Sequence, residues 1–570
     1  MFLTKGAIMS YKQTITFTLL VTITRHIITM ETDQPLSWAY STLNALTRKE
    51  KIGQLFMVPA ISDTEQNPGF LEHTPYTMDS AYVKRLITDY HVGGVIFLGL
   101  STAHKQYNLT EEFQHLSTIP LLIGQDLEWG LQMRLRDAIQ FPYALTLGAL
   151  QDNELIYKLG KEIGRQCHAI GVHINFAPVA DINTNPNNPV INHRSFGDNP
   201  ENVSKKTAAF AHGLHDAGII ACAKHFPGHG DTDVDSHYDL PLIRHNLDRL
   251  HDIELSPFKH LIANNIPAIM TAHIAAPALE KRISIPASLS YDVVTGLLKN
   301  ELGFTGLVIT DGLGMRGVTQ QYESGYVELN ALLAGNDILL CPVDVPRAVE
   351  LIMHAIEHEQ FTEDELDARV LKILLAKEWV FKQNKNANGE YNYKNLHTKS
   401  AYNLKQTLYD NAVTVIRDIN NCMPLNNTQA TAVLQIGCCT TMKAFAYALN
   451  TVLPNTTFYF YDPTDNNQSF INLIEQLPTN CTLIIALHGM NRLARENYGI
   501  TQTLQENIKQ IHAHNAKTML VIFGNPYSCT LFDYVPGLIC AYQDDVDAQI
   551  SAADILLGRL QATGKLPVSI

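Results

Sequence analysis

Residues 306–342 read GLVITDGLGMRGVTQQYESGYVELNALLAGNDILLCP. Two short apolar runs, 306–311 and 337–342, lie at the ends of this stretch, and the segment between them is long enough for a helix. Such a unit favours two parallel strands joined by a helical crossover. The first run ends on a carboxylate, Asp311, which a strand would deliver to one edge of the sheet.

The same alternation runs through the N-terminal part of the chain. Further short apolar runs occupy residues 55–60, 92–99, 120–125, 174–181, 221–226 and 268–273. Helix signals stand between them, including a capping box of Thr47 with Glu50 and a helical segment at 255–262. Eight strands with crossovers predict a TIM-type (β/α)8 barrel, and an open doubly wound sheet is the alternative.

Polar residues follow the predicted strands where a barrel would place an active site. They are Asp126 and Glu128, Asp181, Lys224 and His225, His273, and Asp311. An unpaired charge inside a core costs several kcal/mol, so a random scatter would not repeatedly select strand ends. The pattern therefore predicts a site at the carboxyl ends of the barrel strands.

A second domain is predicted beyond the barrel, which we assign to residues 36–383. Residues 384–403 are rich in Lys, Asn and Tyr and are interpreted as a linker. Residues 404–570 then alternate apolar runs with helical segments, which predicts an α/β sandwich around a mostly parallel sheet. The apolar runs of this domain are 432–436, 457–461, 482–487, 519–523 and 538–542.

Composition excludes several classes of protein. Lys and Arg total 42 and Asp and Glu total 56, a formal net charge of −14 without a dense basic run, which argues against a nucleic-acid partner. The nine cysteines form no CxxC pair, so neither a disulfide scaffold nor a zinc site is expected. Residues 1–35 could be a removable leader or a disordered N-terminus. A leader would make the protein exported or periplasmic, and otherwise it is cytoplasmic. No stable membrane span is predicted after it.

Residues 224–237, Lys-His-Phe-Pro-Gly-His-Gly-Asp-Thr-Asp-Val-Asp-Ser-His, concentrate polar chemistry in one loop. Its proline and glycines disfavour a regular helix or strand. One interpretation is an acid/base dyad, in which Asp235 fixes the tautomer of His237 and the free ring nitrogen handles a proton. A metal site using the loop's histidines and aspartates, and a merely solvated surface loop, are the alternatives.

Asp311 also has two interpretations. A strand that ends in an aspartate before Gly312 and Gly314 could present a nucleophile at a barrel mouth. An aspartate after a strand is equally often the N-cap of the next helix.

Together these stretches closely resemble glycoside hydrolase family 3, in its two-domain form and its β-N-acetylhexosaminidase branch. The resemblance rests on the loop 224–237, on Ile174-Asn-Phe-Ala-Pro-Val-Ala-Asp181, on residues 187–197 and on the strand before Asp311. It implies that Asp311 is the nucleophile, His237 the acid/base and Asp235 its partner. It also implies that sugar hydroxyls are held by Asp126, Arg194, Lys224 and His225.

The chain departs from the family pattern around Asp126. The usual run resembles Asp-x-Glu-Gly-Gly-Arg, whereas residues 126–131 read Asp-Leu-Glu-Trp-Gly-Leu. Trp129 could be a packing residue or a platform on which a sugar stacks. The second domain also looks like that of the family, and because the loop 224–237 is intact we interpret this domain as mainly structural, shaping the edge of the cleft.

The resemblance implies a retaining exo-β-N-acetylglucosaminidase that acts on peptidoglycan-type fragments without a metal or other cofactor. A β-glucosidase or β-xylosidase of the same family, a phosphorolytic variant and a catalytically silent sugar-binding paralogue are the alternatives. The expected partner is a small-molecule or oligosaccharide substrate, and the oligomeric state is left open.

Overall fold

The structure is a computed structural model that describes residues 37–234, 240–282, 284–320, 322–383, 393–426, 430–437, 442–465, 467–515 and 517–570. These residues form an eight-stranded barrel followed by a six-stranded sheet with helices on its faces. None of the helices in this part of the chain has the length and apolar character needed to cross a membrane.

The predicted barrel is confirmed. All neighbouring strands pair in parallel, in the order β7-β6-β5-β4-β3-β2-β1-β8. An isolated parallel bridge between Ile309 and Ile338 joins the two edges, so the open doubly wound sheet is wrong. The strands are β1 (Phe56–Ala60), β2 (Gly94–Phe97), β3 (Leu122–Gln125), β4 (Ile174–Asn175), β5 (Ile220–Phe226), β6 (Ala268–Thr271), β7 (Leu307–Thr310) and β8 (Leu339–Leu340).

Burial explains why these strands could be read from the sequence. Every residue of the eight strands is buried, because side chains fill the barrel and helices cover its outer surface. The covering helices are Trp38–Ala45, Arg48–Gln54, Pro68–His73, Ser80–Tyr90, Ala103–Leu116, Ala144–Gly148, Asn153–Ala169, Pro200–Asp216, Leu247–Asp252, Ser256–Ala263, the π-helix Asp292–Glu301, Arg316–Thr319, Tyr326–Ala334, Val345–Glu357 and Glu363–Gln383. The predicted capping box of Thr47 and Glu50 is present in the helix Arg48–Gln54.

The second sheet has the order β11-β10-β12-β13-β14-β9. Its strands are β9 (Thr414–Asp418), β10 (Thr431–Ile436), β11 (Thr457–Tyr461), β12 (Thr482–Leu487), β13 (Thr518–Ile522) and β14 (Gly537–Cys540). Only the pairing of β14 with β9 is antiparallel among the described strands, which confirms the mostly parallel sheet.

Helices pack on both faces of this sheet. Alternate residues of β12 belong to two different apolar clusters, Leu483 and Ile485 to one and Ile484 and Ala486 to the other, as expected when both faces are covered. The helices are Lys399–Ala412, Lys443–Asn450, Asn467–Gln476, Gln502–His514 and Val546–Leu556. The first of these begins inside the segment 384–403 that we interpret as a linker, and the domain boundaries stay a prediction.

Short 3-10 turns complete the described structure at Thr64–Gln66, Leu131–Met133, Asn192–Arg194, Ala287–Leu289, Tyr393–Asn395, Ala494–Gly499 and Pro526–Phe532. Two of them face each other across the domain interface. Asn192, in one turn, accepts a hydrogen bond from Asn525, which caps the other. The carboxyl edge of the second sheet therefore lies beside the loops at the carboxyl edge of the barrel.

Candidate active site

The carboxyl ends of four barrel strands gather the polar residues singled out in the sequence. Asp126 follows β3, Lys224 and His225 lie within β5, and Asp311 follows β7. Arg194 comes from the long loop after β4, where it ends a 3-10 turn. Because parallel strands of a closed barrel all point the same way, these side chains converge at one mouth.

Two carboxylates and three cations form one network at this mouth. Lys224 Nζ lies 2.8 Å from Asp126 Oδ1 and 2.8 Å from Glu128 Oε1. Arg194 donates to both oxygens of Glu128, from Nε at 2.9 Å and from Nη2 at 2.7 Å. Arg134 Nη2 donates to Asp126 Oδ2 at 3.0 Å. Such bidentate and charge-assisted bonds fix the direction in which each side chain points.

The network holds its members in their charged forms. Burial raises the pKa of Asp126, but the positive charges of Lys224 and Arg134 outweigh it and lower the pKa to about 2. Burial likewise acts against Glu128 ionisation, yet Arg194 and Lys224 hold the pKa of Glu128 well below its usual range. Burial lowers the pKa of Lys224, and the two carboxylates reverse this and raise it. The site therefore presents fixed charges to a ligand at neutral pH.

His225 is oriented by a buried carboxylate. Asp181, which follows β4, lies with its Oδ2 2.6 Å from His225 Nδ1, and its Oδ1 accepts from the backbone N–H groups of His225 and His229 at 3.1 and 2.7 Å. Burial raises the pKa of Asp181, but His225 outweighs this effect and lowers the pKa. Asp181 thus fixes one ring nitrogen of His225 and leaves the other, Nε2, directed toward Arg194 at 3.5 Å.

Asp311 stands at the tip of β7 and is only partly buried. Its Oδ1 accepts from the backbone N–H of Gly312 at 2.8 Å. The next helix, Arg316–Thr319, has Met315 as its N-cap, so the alternative of Asp311 as a helix cap is wrong. A partly exposed carboxylate at a strand tip remains accessible to a reacting carbon.

The side chains predicted from the sequence to bind sugar and the predicted nucleophile line one cavity of about 420 Å³. Asp126, Arg194, Lys224, His225 and Asp311 contribute to its wall. The wall also includes Glu128, Trp129, Arg134 and His229 from the barrel, and Arg492 and Leu493 from the second domain. A cavity of this size, with convergent charged groups at its base, suits a small polar ligand such as a monosaccharide unit.

The predicted dyad, Asp235 and His237, lies outside the described residues. The described part of the same loop contributes His229 to the cavity wall. Burial and the charge of His225 lower the pKa of His229 to about 4, and His229 Nδ1 lies 2.7 Å from Thr232 Oγ1. Within the described ranges, no group of three His, Cys, Asp or Glu side chains is arranged to hold a metal ion.

Sequence reasoning missed three side chains that the structure brings into this site: Glu128, Asp181 and Arg134. In the sequence Glu128 and Asp181 are recognisable only as polar residues after predicted strands, and this signal is enough to assign both to the site. Arg134 supplies the guanidinium next to Asp126, whereas position 131 holds a fully buried leucine. Trp129 lines the cavity and packs edge-on against Tyr143 with ring centroids 5.0 Å apart, which supports a packing role, while its role as a platform for a sugar stays a prediction.

This chain is similar to several known proteins. Beta-hexosaminidase A of Pseudoalteromonas piscicida is 28% identical over 556 residues, which cover 86% of this chain and 91% of that protein. Beta-hexosaminidase LpqI of Mycobacterium tuberculosis is 32% identical over 311 residues, 52% of this chain and 79% of that protein. A solved glycoside hydrolase family 3 beta-N-acetylglucosaminidase from Paenibacillus sp. str. FPU-7 superposes with a TM-score of 0.74 at 28% identity, covering 92% of this chain and 99% of that one.

The family model for the glycosyl hydrolase family 3 N terminal domain matches residues 47–376, which include all eight strands of the barrel. The match spans more than half of the chain. This protein belongs to glycosyl hydrolase family 3 and is a glycoside hydrolase.

Proposed function

We propose that this protein is a retaining exo-β-N-acetylglucosaminidase with Asp311 as its nucleophile and His237 as its acid/base, oriented by Asp235. One observation carries the proposal: Asp311 shares a single cavity with Asp126, Arg194, Lys224 and His225. The relatives named beta-hexosaminidase and beta-N-acetylglucosaminidase support the choice of sugar.

The paired side chains provide the sugar-binding surface. Asp126 and Glu128 accept hydrogen bonds from sugar hydroxyls, while Lys224 and Arg194 donate them. Because each group is already held by an oppositely charged neighbour, the surface is organised before the sugar arrives. Fixed donors and acceptors reject a sugar whose hydroxyls point elsewhere, since a buried partner would then be left unpaired.

The first chemical step forms a covalent intermediate. The Asp311 carboxylate attacks the anomeric carbon as the bond from that carbon to the leaving oxygen breaks, and His237 transfers its proton to that oxygen. In the second step His237 removes a proton from water, the hydroxide oxygen bonds to the anomeric carbon, and Asp311 is released. Two displacements at one carbon retain the β configuration.

A histidine acid/base carries one negative charge less than a carboxylic acid/base in its basic form. This difference favours an anionic aglycone, as in N-acetylmuramic acid, because repulsion at the leaving-group side is reduced. We therefore propose peptidoglycan-type fragments as natural substrates. Equal turnover of neutral and muramyl-linked N-acetylglucosaminides would contradict this choice of substrate.

Trapping of the intermediate tests the reaction type, the nucleophile and the sugar together. A fluorinated N-acetylhexosamine analogue with a good leaving group is expected to inactivate the protein and to label the peptide that contains Asp311. Asp311→Ala should show neither labelling nor turnover of an aryl N-acetyl-β-glucosaminide. His237→Ala should lose least activity on substrates with good leaving groups, since these need no proton.

Two further measurements separate the alternatives. Faster cleavage of aryl β-glucosides or β-xylosides than of the N-acetylglucosaminide would contradict the proposed sugar. Product analysis with and without inorganic phosphate distinguishes hydrolysis from phosphorolysis, because only phosphorolysis yields a sugar 1-phosphate. Binding of the sugar without any turnover would indicate a silent paralogue.

A further inference from the structure

One arginine of the second domain reaches the catalytic cavity. Arg492 lies in the loop after β12, at the carboxyl edge of the second sheet, and lines the same cavity as Asp311. It also lines a larger cavity of about 550 Å³ between the two domains. His193 of the barrel also lines both cavities, so Arg492 and His193 are the titratable residues that the two walls share. The two cavities therefore meet at Arg492 and His193.

The partners of Arg492 are neutral. Its Nη1 lies 3.3 Å from Tyr143 Oη and 3.3 Å from His193 Nε2, and its guanidinium lies over the Tyr143 ring at 5.4 Å from the centroid. Burial, with the charges of Arg492 and Arg194, lowers the pKa of His193 to about 3. His193 is thus uncharged at neutral pH and does not add to the positive charge of this wall.

The other cations of the catalytic cavity differ from Arg492. Arg134, Arg194 and Lys224 each form an ion pair with Asp126 or Glu128. Among the described residues, no carboxylate lies within 4.0 Å of a guanidinium nitrogen of Arg492. Arg492 is therefore the cavity-lining cation whose charge is not already neutralised by a described carboxylate, and it faces the route from the catalytic cavity to the interdomain cavity.

The position of Arg492 suits the leaving-group part of a substrate. The paired barrel residues already supply donors and acceptors for the sugar that is transferred to Asp311. The part beyond the scissile bond must occupy other space, and the cavity that continues past Arg492 and His193 offers it. The two carboxylates in the wall of that cavity, Asp544 and Asp545, are each already paired with a basic side chain. A guanidinium matches a carboxylate with two parallel hydrogen bonds.

We propose that Arg492 is a specificity-determining residue that binds an anionic group, in the first instance a carboxylate, on the aglycone. This inference rests on the proposed function and adds to it the side chain that selects the charge of the leaving group. It also gives the second domain a direct role in substrate choice, beyond shaping the edge of the cleft.

The test compares two substrates that differ in one charge. They are the 3-carboxyphenyl and the 3-carbamoylphenyl N-acetyl-β-glucosaminides, and the measured quantity is the ratio of their kcat/KM values. Dividing the ratio of Arg492→Gln by that of the wild-type protein cancels the intrinsic difference between the leaving groups. A matched control is Arg495→Gln, because the Arg495 side chain is 77% exposed, near Glu496, and lines neither cavity.

Arg492→Gln is expected to lower the charged-to-neutral ratio about tenfold, the size of one charge-assisted hydrogen bond. Arg495→Gln should change the ratio by less than about twofold, as expected for an exposed charge. Arg492→Lys keeps the positive charge but lacks the planar guanidinium, so its charged-to-neutral ratio should lie between those of Arg492→Gln and the wild-type protein. Added salt should reduce the wild-type ratio more than that of Arg492→Gln.

Equal ratios in Arg492→Gln and the wild-type protein, with both substrates cleaved, would overturn this inference alone. An equal fall of the charged-to-neutral ratio in Arg495→Gln would also overturn the inference. The effect would then come from the overall positive charge of the protein and not from a direct contact. A wild-type protein that cleaves neither substrate would overturn the proposed function, and the inference with it.

Discussion

Asn525 Nδ2 donates a hydrogen bond to Asn192 Oδ1 at 2.6 Å, and both side chains are buried between the two domains. Asn192 begins the 3-10 turn that ends at Arg194 and has a backbone φ of 33°, a left-handed conformation that asparagine tolerates. A residue of the second domain thus holds the barrel turn from which Arg194 reaches the catalytic cavity.

Removal of this contact should affect both stability and substrate binding. Asn525→Ala leaves the buried Asn192 amide oxygen without its donor, so the free energy of unfolding should fall by about 1 to 3 kcal/mol. The kcat/KM for an aryl N-acetyl-β-glucosaminide should fall with it, because the turn that carries Arg194 is less restrained. Urea denaturation and steady-state kinetics measure the two effects.

A surface asparagine provides the control for this experiment. Asn472 is exposed on the helix Asn467–Gln476, and Asn472→Ala should leave both quantities within about 0.5 kcal/mol of the wild-type values. Full activity in Asn525→Ala would show that the barrel turn keeps its position without the second domain.

The Glu128–Arg194 pair should behave as one unit. Loss of either partner leaves a buried charge, so Glu128→Ala and Arg194→Ala should each lower the free energy of unfolding by about 3 kcal/mol. The free energy of unfolding lost in the double variant should be smaller than the sum of the two single losses by at least about 1 kcal/mol. A double-mutant cycle in urea measures this coupling.

The exposed pair Glu201–Lys205 is the matched control for the cycle, since its nitrogen and oxygen atoms are also close, at 2.5 Å, but both side chains are more than half exposed. Its coupling should not exceed about 0.5 kcal/mol. Strict additivity at Glu128 and Arg194 would contradict the importance we assign to their burial.

Stability should depend on pH through Asp126. Its folded pKa of about 2 lies below the ordinary value of 3.8, so its ionised form stabilises the folded state above pH 4, and this contribution is lost as the pH falls from about 4 to about 2. The loss corresponds to roughly 2 kcal/mol. Asp126→Asn should differ most from the wild-type protein above pH 4, and the two unfolding free energies should converge toward pH 2. A constant difference over this range would contradict the assignment.

Asp181 should act through His225. Asp181→Asn removes the anionic acceptor of the His225 ring N–H, so KM for the N-acetylglucosaminide should rise about tenfold, the cost of one hydrogen bond to a charged group. The control is Asp337→Asn, because Asp337 is equally buried but lies before β8, at the opposite end of the barrel, where it pairs with Lys299 and Lys372. That variant should lower Tm and change KM by less than about threefold.

A similar rise in KM for both variants would contradict the specific role of Asp181. The role is supported if the KM of Asp181→Asn rises while its Tm falls no further than the Tm of Asp337→Asn. Thermal unfolding and steady-state kinetics on the same preparations provide both comparisons.

The sequence alone was sufficient to predict the barrel because the barrel strands are buried on both faces. Such strands appear as short apolar runs, and the run 306–311 with its terminal Asp311 illustrates why the strand ends could be found as well. The motif 224–237 placed Lys224 and His225 at the same mouth. The structure brings the predicted Asp126 and Arg194 to the cavity of Asp311, while the assigned roles of all these residues stay predictions.

Only the tertiary structure decided which polar groups meet. Arg194 pairs with Glu128 across 66 positions, His225 with Asp181 across 44, and Asn525 with Asn192 across 333. Periodicity in a sequence reports burial, since it reflects the apolar surface of one element at a time. Periodicity carries no information on the paths of the loops or on the docking of the second domain. These two features determine which charged and polar side chains come within bonding distance of each other.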